Sequence, residues 1–287
     1  MNHIVLKGLP VSDAILQNTS DLVHSLTQKN VIPCLAVIRL GEKPDDLSYE
    51  RTILRKAEAV GISVQQIVLN PSITQYEYES ILDQLHADSS VHGILPLRPL
   101  PAMLNPFSAF EHIGSEKDVD GCSQKSLGIL FTGSGACFAP CTAQAVMDVL
   151  RYYQIPIAGK KAVIVGRSLV VGKPLSQLLL DENATVTICH SKTSHLSEIT
   201  RTADILIACI GKPEFITKDY LSKEQTVLDV GINWIASEQR LAGDVLFSDA
   251  APFCHAITPV PGGIGMVTTA RLLNNTALAA QSQCAEQ

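Results

Sequence analysis

The sequence predicts an α/β fold in two domains, each built from parallel β-α-β units. The chain has 287 residues, which is long enough for two domains. Hydrophobic residues make up 46% of the chain and charged residues 17%, so it can bury a large core. Short apolar runs alternate with segments of helical periodicity, as in parallel sheets that are covered by helices.

The first half of the chain alternates helices and strands. In Ser48–Ile62 (SYERTILRKAEAVGI), apolar residues recur every three or four positions and Gly61 ends the run, so a helix is predicted. PCLAVIRLG is apolar except for Arg39 and ends in glycine, as in a buried strand. The predicted elements are helix 11–29, strand 33–41, helix 48–62, strand 61–69, helix 74–88 and strand 91–101, which runs into a proline-rich loop.

The second half repeats the alternation after a looser segment rich in Gly, Ser, Cys and Pro. A long helix at 142–153 is interpreted as the crossing between the domains, and 160–193 reads as strand, glycine loop, helix and strand. ADILIACIGKPEFI and TVLDVGIN supply two further strand-to-loop units. The predicted domains are 1–141 and 142–267, with a C-terminal helix of about 268–287 that returns to the first domain.

Composition excludes several classes of protein. The net charge is −6 and no block of Lys and Arg occurs, so a nucleic-acid surface is not expected. The apolar runs are too short to span a membrane, and the N-terminus does not resemble a secretory signal. The eight cysteines form no Cys-x-x-Cys pair, so no metal site is predicted, and reduced thiols point to the cytoplasm.

The segment VGRSLVVGKP lies between a predicted strand and a predicted helix. Gly166 allows a tight turn, Gly172 allows close backbone approach, and the helix offers its N-terminal amides to a phosphate. Ser168 stands where the common G-x-G-x-x-G pattern has its second glycine. Because such a turn is as often structural as phosphate-binding, the loop alone does not define a nucleotide site.

The end of the next predicted strand favours a particular dinucleotide. NAD-binding units usually carry an acidic residue there, whereas this chain has His190, Ser191, Lys192 and Thr193. With Arg167 on the adjacent loop, two cations and several hydroxyls suit a ribose 2′-phosphate, which favours NADP over NAD. A solvated polar loop is the alternative, but it does not explain why these residues converge.

These motifs resemble the methylenetetrahydrofolate dehydrogenase/cyclohydrolase family (FolD type), which acts in one-carbon metabolism. The resemblance covers the whole chain and rests on GEKPDDLSY, EKDVDG, PCT, VGRSLVVGKP, CHSKT, DVGIN, GDV and TPVPGGIGMVT, in that order. It implies an N-terminal α/β domain on the folate side, a Rossmann-like NAD(P)-binding domain that holds NADP, and a homodimer. The folate would bind in the cleft between the domains.

The resemblance also implies roles for individual residues. Tyr49 would border the folate ring system, and Asp120 would bond the pterin, since a carboxylate can accept two parallel N–H bonds from an aminopyrimidine. Asp120 precedes a glycine, so it could also be only a turn residue. The implied cleft residues are Pro261, Gly262 and Gly263, and the implied cofactor residues are Gly166, Arg167, Ser168, Gly172, Ser191, Lys192 and Ile232.

Two positions depart from the family pattern. The family has Tyr-x-x-x-Lys on the first-domain helix, and the register from Tyr49 to Gly61 places Ile53 at the Lys position. The family reads Gly-Ile-Leu-Val-Gln-Leu-Pro-Leu-Pro where this chain has GILPLRPLP, which places Leu97 at the Gln position. Arg98, as the neighbour of Leu97, is expected to point to the other face if the strand continues, and it is given no catalytic role.

The departures predict which activity the chain keeps. Dehydrogenation needs position and a dry pocket, whereas the cyclohydrolase step needs proton transfer, which neither Ile53 nor Leu97 can provide. The sequence therefore predicts a dehydrogenase for methylenetetrahydrofolate with weak or absent cyclohydrolase activity. The alternatives are an ordinary bifunctional enzyme, with Lys56 as a substitute proton carrier, and a non-catalytic folate- or nucleotide-binding paralogue.

Overall fold

A computed structural model describes residues 3–285. The strands are β1 (Ile4–Val5), β2 (Cys34–Leu40), β3 (Ser63–Leu69), β4 (Gly93–Pro96), β5 (Lys161–Val165), β6 (Thr185–Cys189), β7 (Ile205–Ala208), β8 (Thr226–Asp229), β9 (Asn233–Ile235), β10 (Arg240–Ala242) and β11 (Ala256–Ile257). The helices are α1 (Gly8–Thr27), α2 (Pro44–Val60), α3 (Gln75–Ala87), α4 (Pro106–Glu111), α5 (Gln124–Thr132), α6 (Cys141–Tyr152), α7 (Gly172–Asp181), α8 (Leu196–Arg201), α9 (Phe247–Ala250) and α10 (Ile264–Ala285). The two-domain α/β fold predicted from the sequence is confirmed.

One compact unit, the three-stranded unit, comprises residues 13–141 and 269–285. Its sheet is parallel with the order β3-β2-β4. The central strand β2 is buried along nearly its whole length, which explains why its sequence is apolar except at Arg39, which pairs with Glu50. Most of α10 groups with this unit, as expected for a returning C-terminal helix.

Helix α2 carries the candidate site residues of this unit. Pro44 occupies the first turn, where its missing N–H costs nothing. Gly61 ends the helix in the left-handed conformation, and its N–H bonds the carbonyl oxygens of Ala57 and Glu58. The buried face consists of Glu50, Ile53, Ala57 and Val60, so Ile53 is fixed toward the core.

The second compact unit, the six-stranded unit, comprises residues 3–12 and 142–268. Its sheet has the order β1-β11-β8-β7-β5-β6, and each neighbouring pair in it is parallel. The chain passes from β5 to β6 on one side and then returns to β7 on the other side of β5. This reversal is the position at which open α/β sheets bind ligands, outside the carboxyl ends of the strands.

The structure differs from the predicted domain limits at the N-terminus. Ile4 and Val5 pair with Ala256 and Ile257, so residues 3–12 join the six-stranded unit rather than the first domain. A two-residue strand is too short to show a hydrophobic period, which is why the sequence did not indicate it. Residues 1–2 and 286–287 of the predicted ranges lie outside the described residues. Among residues 3–285, no helix is both long and apolar enough to cross a membrane.

Candidate active site and cofactor site

Asp120 is the centre of a polar group in the three-stranded unit. Its Oδ1 accepts a hydrogen bond from the backbone N–H of Cys141 at 3.3 Å, and its Oδ2 pairs with Nη2 of Arg98. The side chains of Asp120 and Arg98 are 14% and 27% exposed. The carboxylate is therefore held in a fixed orientation and is still reachable by a ligand.

Tyr49 lies beside this group. The pKa of its phenol is raised far above the ordinary value, chiefly by burial and then by the charge of Asp120, while a hydrogen bond with Thr269 opposes the rise. The hydroxyl is therefore protonated at any physiological pH. Tyr49 can donate a hydrogen bond and offer an aromatic face, but it cannot act as a general base.

Ile53 and Leu97 supply an apolar surface next to Tyr49. Ile53 is fully buried and Leu97 is 5% exposed, and both belong to one core cluster against which Tyr49 packs. Val119 and Cys141, the neighbours of the Asp120 loop, belong to the same cluster. The two positions where the family has a Lys and a Gln are thus parts of a dry core in this chain.

Lys56 is in a different environment from Tyr49. It is partly buried, and burial is the main cause that lowers its pKa, with Arg55 adding to the effect and Asp13 opposing it. The groups that act on Tyr49 are Asp120, Cys141, Thr269 and Arg98. The charged groups that shift the pKa of Lys56 are therefore not those that shift the pKa of Tyr49.

Arg98 is the site residue that the sequence analysis missed. Strand β4 ends at Pro96, so the alternation that would turn Arg98 to the opposite face does not continue, and Arg98 reaches Asp120 instead. Burial alone would lower the pKa of its guanidinium, but Asp120 and nearby acidic groups raise it above the ordinary value. A permanent cation therefore stands beside Asp120. The sequence did carry a signal for Arg98: in GILPLRPLP an Arg stands where the family motif has Leu.

The loop between β5 and α7 requires its two glycines. Gly166 has a φ of 143°, and a Cβ on it would overlap the carbonyl oxygen of Cys209, which follows β7. A Cβ on Gly172 would overlap the carbonyl oxygen of Gly166. The loop is thus folded tightly at the reversal of strand order, and α7 begins at Gly172 with its first N–H groups at the same edge.

The cations and hydroxyls predicted to bind the ribose 2′-phosphate lie on two adjacent loops. Val165 pairs with Cys189, and the N–H of Gly166 donates to the carbonyl of Cys189 at 2.9 Å, so β5 and β6 end side by side. Arg167 and Ser168 follow β5, and Ser191 and Lys192 follow β6; all four are exposed. Ser168 Oγ also accepts the N–H of Val171 at 3.1 Å, which stabilises the loop.

The remaining predicted residues follow β8 and β11 at the same carboxyl edge. Ile232 is 62% exposed and lies against Gly265. Pro261, Gly262 and Gly263 connect β11 to α10, and the carbonyl of Gly262 accepts the N–H of Gly8 at 2.8 Å. Gly262 has a φ of 100°, which favours glycine.

Two buried aspartates, which the sequence analysis did not single out, organise these loops. Asp244 accepts backbone N–H bonds from Ile210, Gly211 and Lys212 at 2.5 to 3.0 Å, and a side-chain bond from Asn233 at 2.9 Å. Asp229 accepts N–H bonds from Gly231, Asp244 and Val245 at 2.9 to 3.0 Å. The two carboxylates hold the loops after β7 and β8 in one arrangement.

A parallel sheet with a glycine loop at its strand reversal, and two cations on adjacent loops, defines a dinucleotide-binding α/β protein. The comparisons with known proteins agree. Residues 140–284 match the NAD(P)-binding domain of tetrahydrofolate dehydrogenase/cyclohydrolase, and residues 6–120 match its catalytic domain. The chain belongs to the tetrahydrofolate dehydrogenase/cyclohydrolase family, and the family resemblance seen in the sequence is confirmed.

Individual relatives match over nearly the whole chain. The bifunctional protein FolD 1 of Desulfitobacterium hafniense is 43% identical over 97% of this chain and 99% of its own length. The solved structure of the bifunctional FolD of Campylobacter jejuni has a TM-score of 0.95 at 38% identity, covering 98% of this chain and 99% of the other. That of the Trypanosoma brucei dehydrogenase-cyclohydrolase, complexed with NADP cofactor and inhibitor, has a TM-score of 0.94 at 32% identity and covers both chains completely.

Proposed function

We propose that this protein oxidises 5,10-methylenetetrahydrofolate to 5,10-methenyltetrahydrofolate with NADP, and hydrolyses the methenyl product weakly or not at all. The observation that supports the second part is the burial of Ile53 and Leu97 in one apolar cluster beside Tyr49. Membership of the family supports the first part.

Hydride transfer needs only what this site offers. NADP, when bound, accepts the hydride from the methylene carbon of the substrate. Asp120 binds the aminopyrimidine edge and Tyr49 borders the ring system, so the substrate is positioned. Ile53 and Leu97 exclude water and carry no charge that would oppose a cationic product.

Hydrolysis of the methenyl cation needs protons to move, and the groups near Asp120 are poor carriers. Arg98 remains a cation because of its raised pKa, and Tyr49 remains a neutral phenol because of its own. Neither can take a proton from water at neutral pH. Ile53 and Leu97 have no titratable group.

A bifunctional enzyme is the second candidate, and the relatives favour it. The Desulfitobacterium hafniense and Campylobacter jejuni proteins are both named as bifunctional. In such an enzyme another group must move the protons, and Lys56 is the candidate, since burial lowers its pKa toward the range in which a Lys can act. The charged residues that affect the pKa of Lys56 are Arg55 and Asp13, whereas those that affect Tyr49 include Asp120 and Arg98.

A paired assay on one preparation decides between these candidates. Reduction of NADP with methylenetetrahydrofolate should be enzymatic, while methenyltetrahydrofolate should disappear at the uncatalysed rate. The Campylobacter jejuni enzyme, assayed alongside, is the positive control. Catalysed hydrolysis would establish the bifunctional alternative, and binding of both ligands without turnover would establish a non-catalytic paralogue.

NADP is proposed over NAD because Arg167 and Lys192 are both exposed on adjacent loops at the carboxyl edge of the sheet. The family resemblance further suggests a homodimer, which light scattering of the purified protein would test. A cytoplasmic location stays a prediction.

A further inference from the structure

We propose that Arg98 is a substrate-recognition residue that works with Asp120: Asp120 accepts two N–H bonds from the aminopyrimidinone ring, and Arg98 donates to the adjacent ring carbonyl. This inference rests on the proposed function, because it assigns a further contact to the same folate substrate.

The first support is the unused hydrogen-bonding capacity of Asp120. A carboxylate offers about four lone-pair positions. In the structure Oδ1 accepts one bond from Cys141 and Oδ2 accepts one from Arg98. About two positions therefore remain, one on each oxygen, which is the number that a 2-amino-3-NH edge requires.

The second support is the unused capacity of Arg98. A guanidinium carries five N–H donors, and the pair with Asp120 uses Nη2. The Arg98 side chain is 27% exposed, so its other donors are accessible to a ligand bound at Asp120. Among the described residues, the groups that act on its charge are acidic, which keeps it protonated.

Together the two side chains present an acceptor pair next to a donor. A 2-amino-4-oxopyrimidine edge presents the complementary order, which is an amino N–H, a ring N–H and a carbonyl oxygen. A 2,4-diaminopyrimidine presents a second amino group in place of that carbonyl, and its ring nitrogen carries no hydrogen. Its amino group would face the donors of Arg98, and its ring nitrogen would face Asp120 as an acceptor. The site should therefore prefer 4-oxo to 4-amino rings: Asp120 contributes through the ring N–H, and Arg98 adds the part that depends on the carbonyl.

The test compares the dissociation constants of folic acid and its 4-amino counterpart, measured by calorimetry, for the wild type, Arg98→Leu and Arg98→Lys. We expect the wild type to favour the 4-oxo compound, and we expect Arg98→Leu to reduce this preference by about 10- to 100-fold, as for loss of one charged hydrogen bond. Arg98→Lys should keep part of the preference, because it keeps one cationic donor. Arg51→Leu, at an exposed arginine on α2, is the matched control and should behave as the wild type.

The preference ratio separates recognition from a structural role. If Arg98 makes no contact with the ring carbonyl and Asp120 stays in place, Arg98→Leu would leave the ratio of the two dissociation constants unchanged, which would overturn the inference. The KM for methylenetetrahydrofolate should rise about 10- to 100-fold in Arg98→Leu with a smaller change in kcat. Absence of dehydrogenase activity in the wild type would instead refute the proposed function, and the ratio of dissociation constants would still report on Arg98.

Discussion

Ile53 of α2 and Leu97, which directly follows β4, pack into one buried cluster that also holds Leu272 and Leu273 of α10. The cluster excludes water from the two positions where the family has a Lys and a Gln. The side chains that we propose to line the folate site therefore also belong to the hydrophobic core. The prediction that these two positions cannot carry a proton can therefore be tested by substituting Ile53 and Leu97.

Replacing both residues should add a proton-handling pair. Ile53→Lys alone buries a charge and is expected to lower the free energy of unfolding by on the order of 3 kcal/mol. Adding Leu97→Gln supplies a hydrogen-bond partner and should recover part of that loss. The double variant should show methenyltetrahydrofolate hydrolysis above the wild-type rate, measured by the loss of methenyl absorbance.

Val60→Lys is the matched control for the double variant. Val60 lies on the same buried face of α2 and is 6% exposed, but it is two turns from Ile53. It should cost similar stability without any gain in hydrolysis. A double variant that folds, keeps dehydrogenase activity and still does not hydrolyse would mean that more than the pair is missing.

Arg167 and Lys192 should set the preference for NADP. With both changed to Ala, the KM for NADP should rise about 10- to 100-fold, because charged hydrogen bonds to the 2′-phosphate are lost. The KM for NAD should change little, since NAD has no phosphate at that position. Lys161→Ala, at the opposite end of β5, is the control. Equal rises for both cofactors would indicate that the cations only shape the loop.

Gly172 should be essential to the cofactor loop. In Gly172→Ala the new methyl group overlaps the carbonyl of Gly166, so the loop has to open and its N–H groups shift. The kcat/KM for NADP should fall about 10- to 100-fold, as for a displacement of about 1 Å. Gly128→Ala is the control. Gly128 lies in α5, and a Cβ added there would have no neighbouring atom within 4 Å. This variant should raise the free energy of unfolding by up to about 1 kcal/mol. Unchanged cofactor kinetics in Gly172→Ala would argue against a phosphate contact there.

Local patterns predicted much of the fold, and long-range contacts account for the rest. The glycine loop was visible because a strand, two glycines and a helix are consecutive, and parallel pairing then brings Arg167 and Lys192 to one edge. The pairing of Ile4 with Ala256 involves only two residues in each strand, so no period reveals it. The contact of Arg98 with Asp120 depends on where β4 ends, which alternation alone did not indicate.

Asp229 should make stability depend on pH. Burial raises the pKa of its carboxyl to about 7, and Asp244 adds to the rise, although three backbone N–H bonds favour the charged form. The unfolded chain releases this proton near pH 4, roughly its ordinary pKa. Between about pH 4 and about pH 7 the folded state therefore holds the extra proton. The free energy of unfolding contributed by Asp229 should fall with rising pH, by up to about 1.4 kcal/mol per unit.

The variant Asp229→Asn isolates this contribution. Its amide presents N–H donors toward backbone N–H groups, so it should lower the free energy of unfolding by about 1–3 kcal/mol. The difference between wild type and variant, measured by urea unfolding, should shrink by on the order of 2–3 kcal/mol from about pH 5 to about pH 7.5, because only the wild type loses the proton. A difference that is the same at both pH values would mean that Asp229 is charged throughout, and that its three N–H bonds outweigh burial.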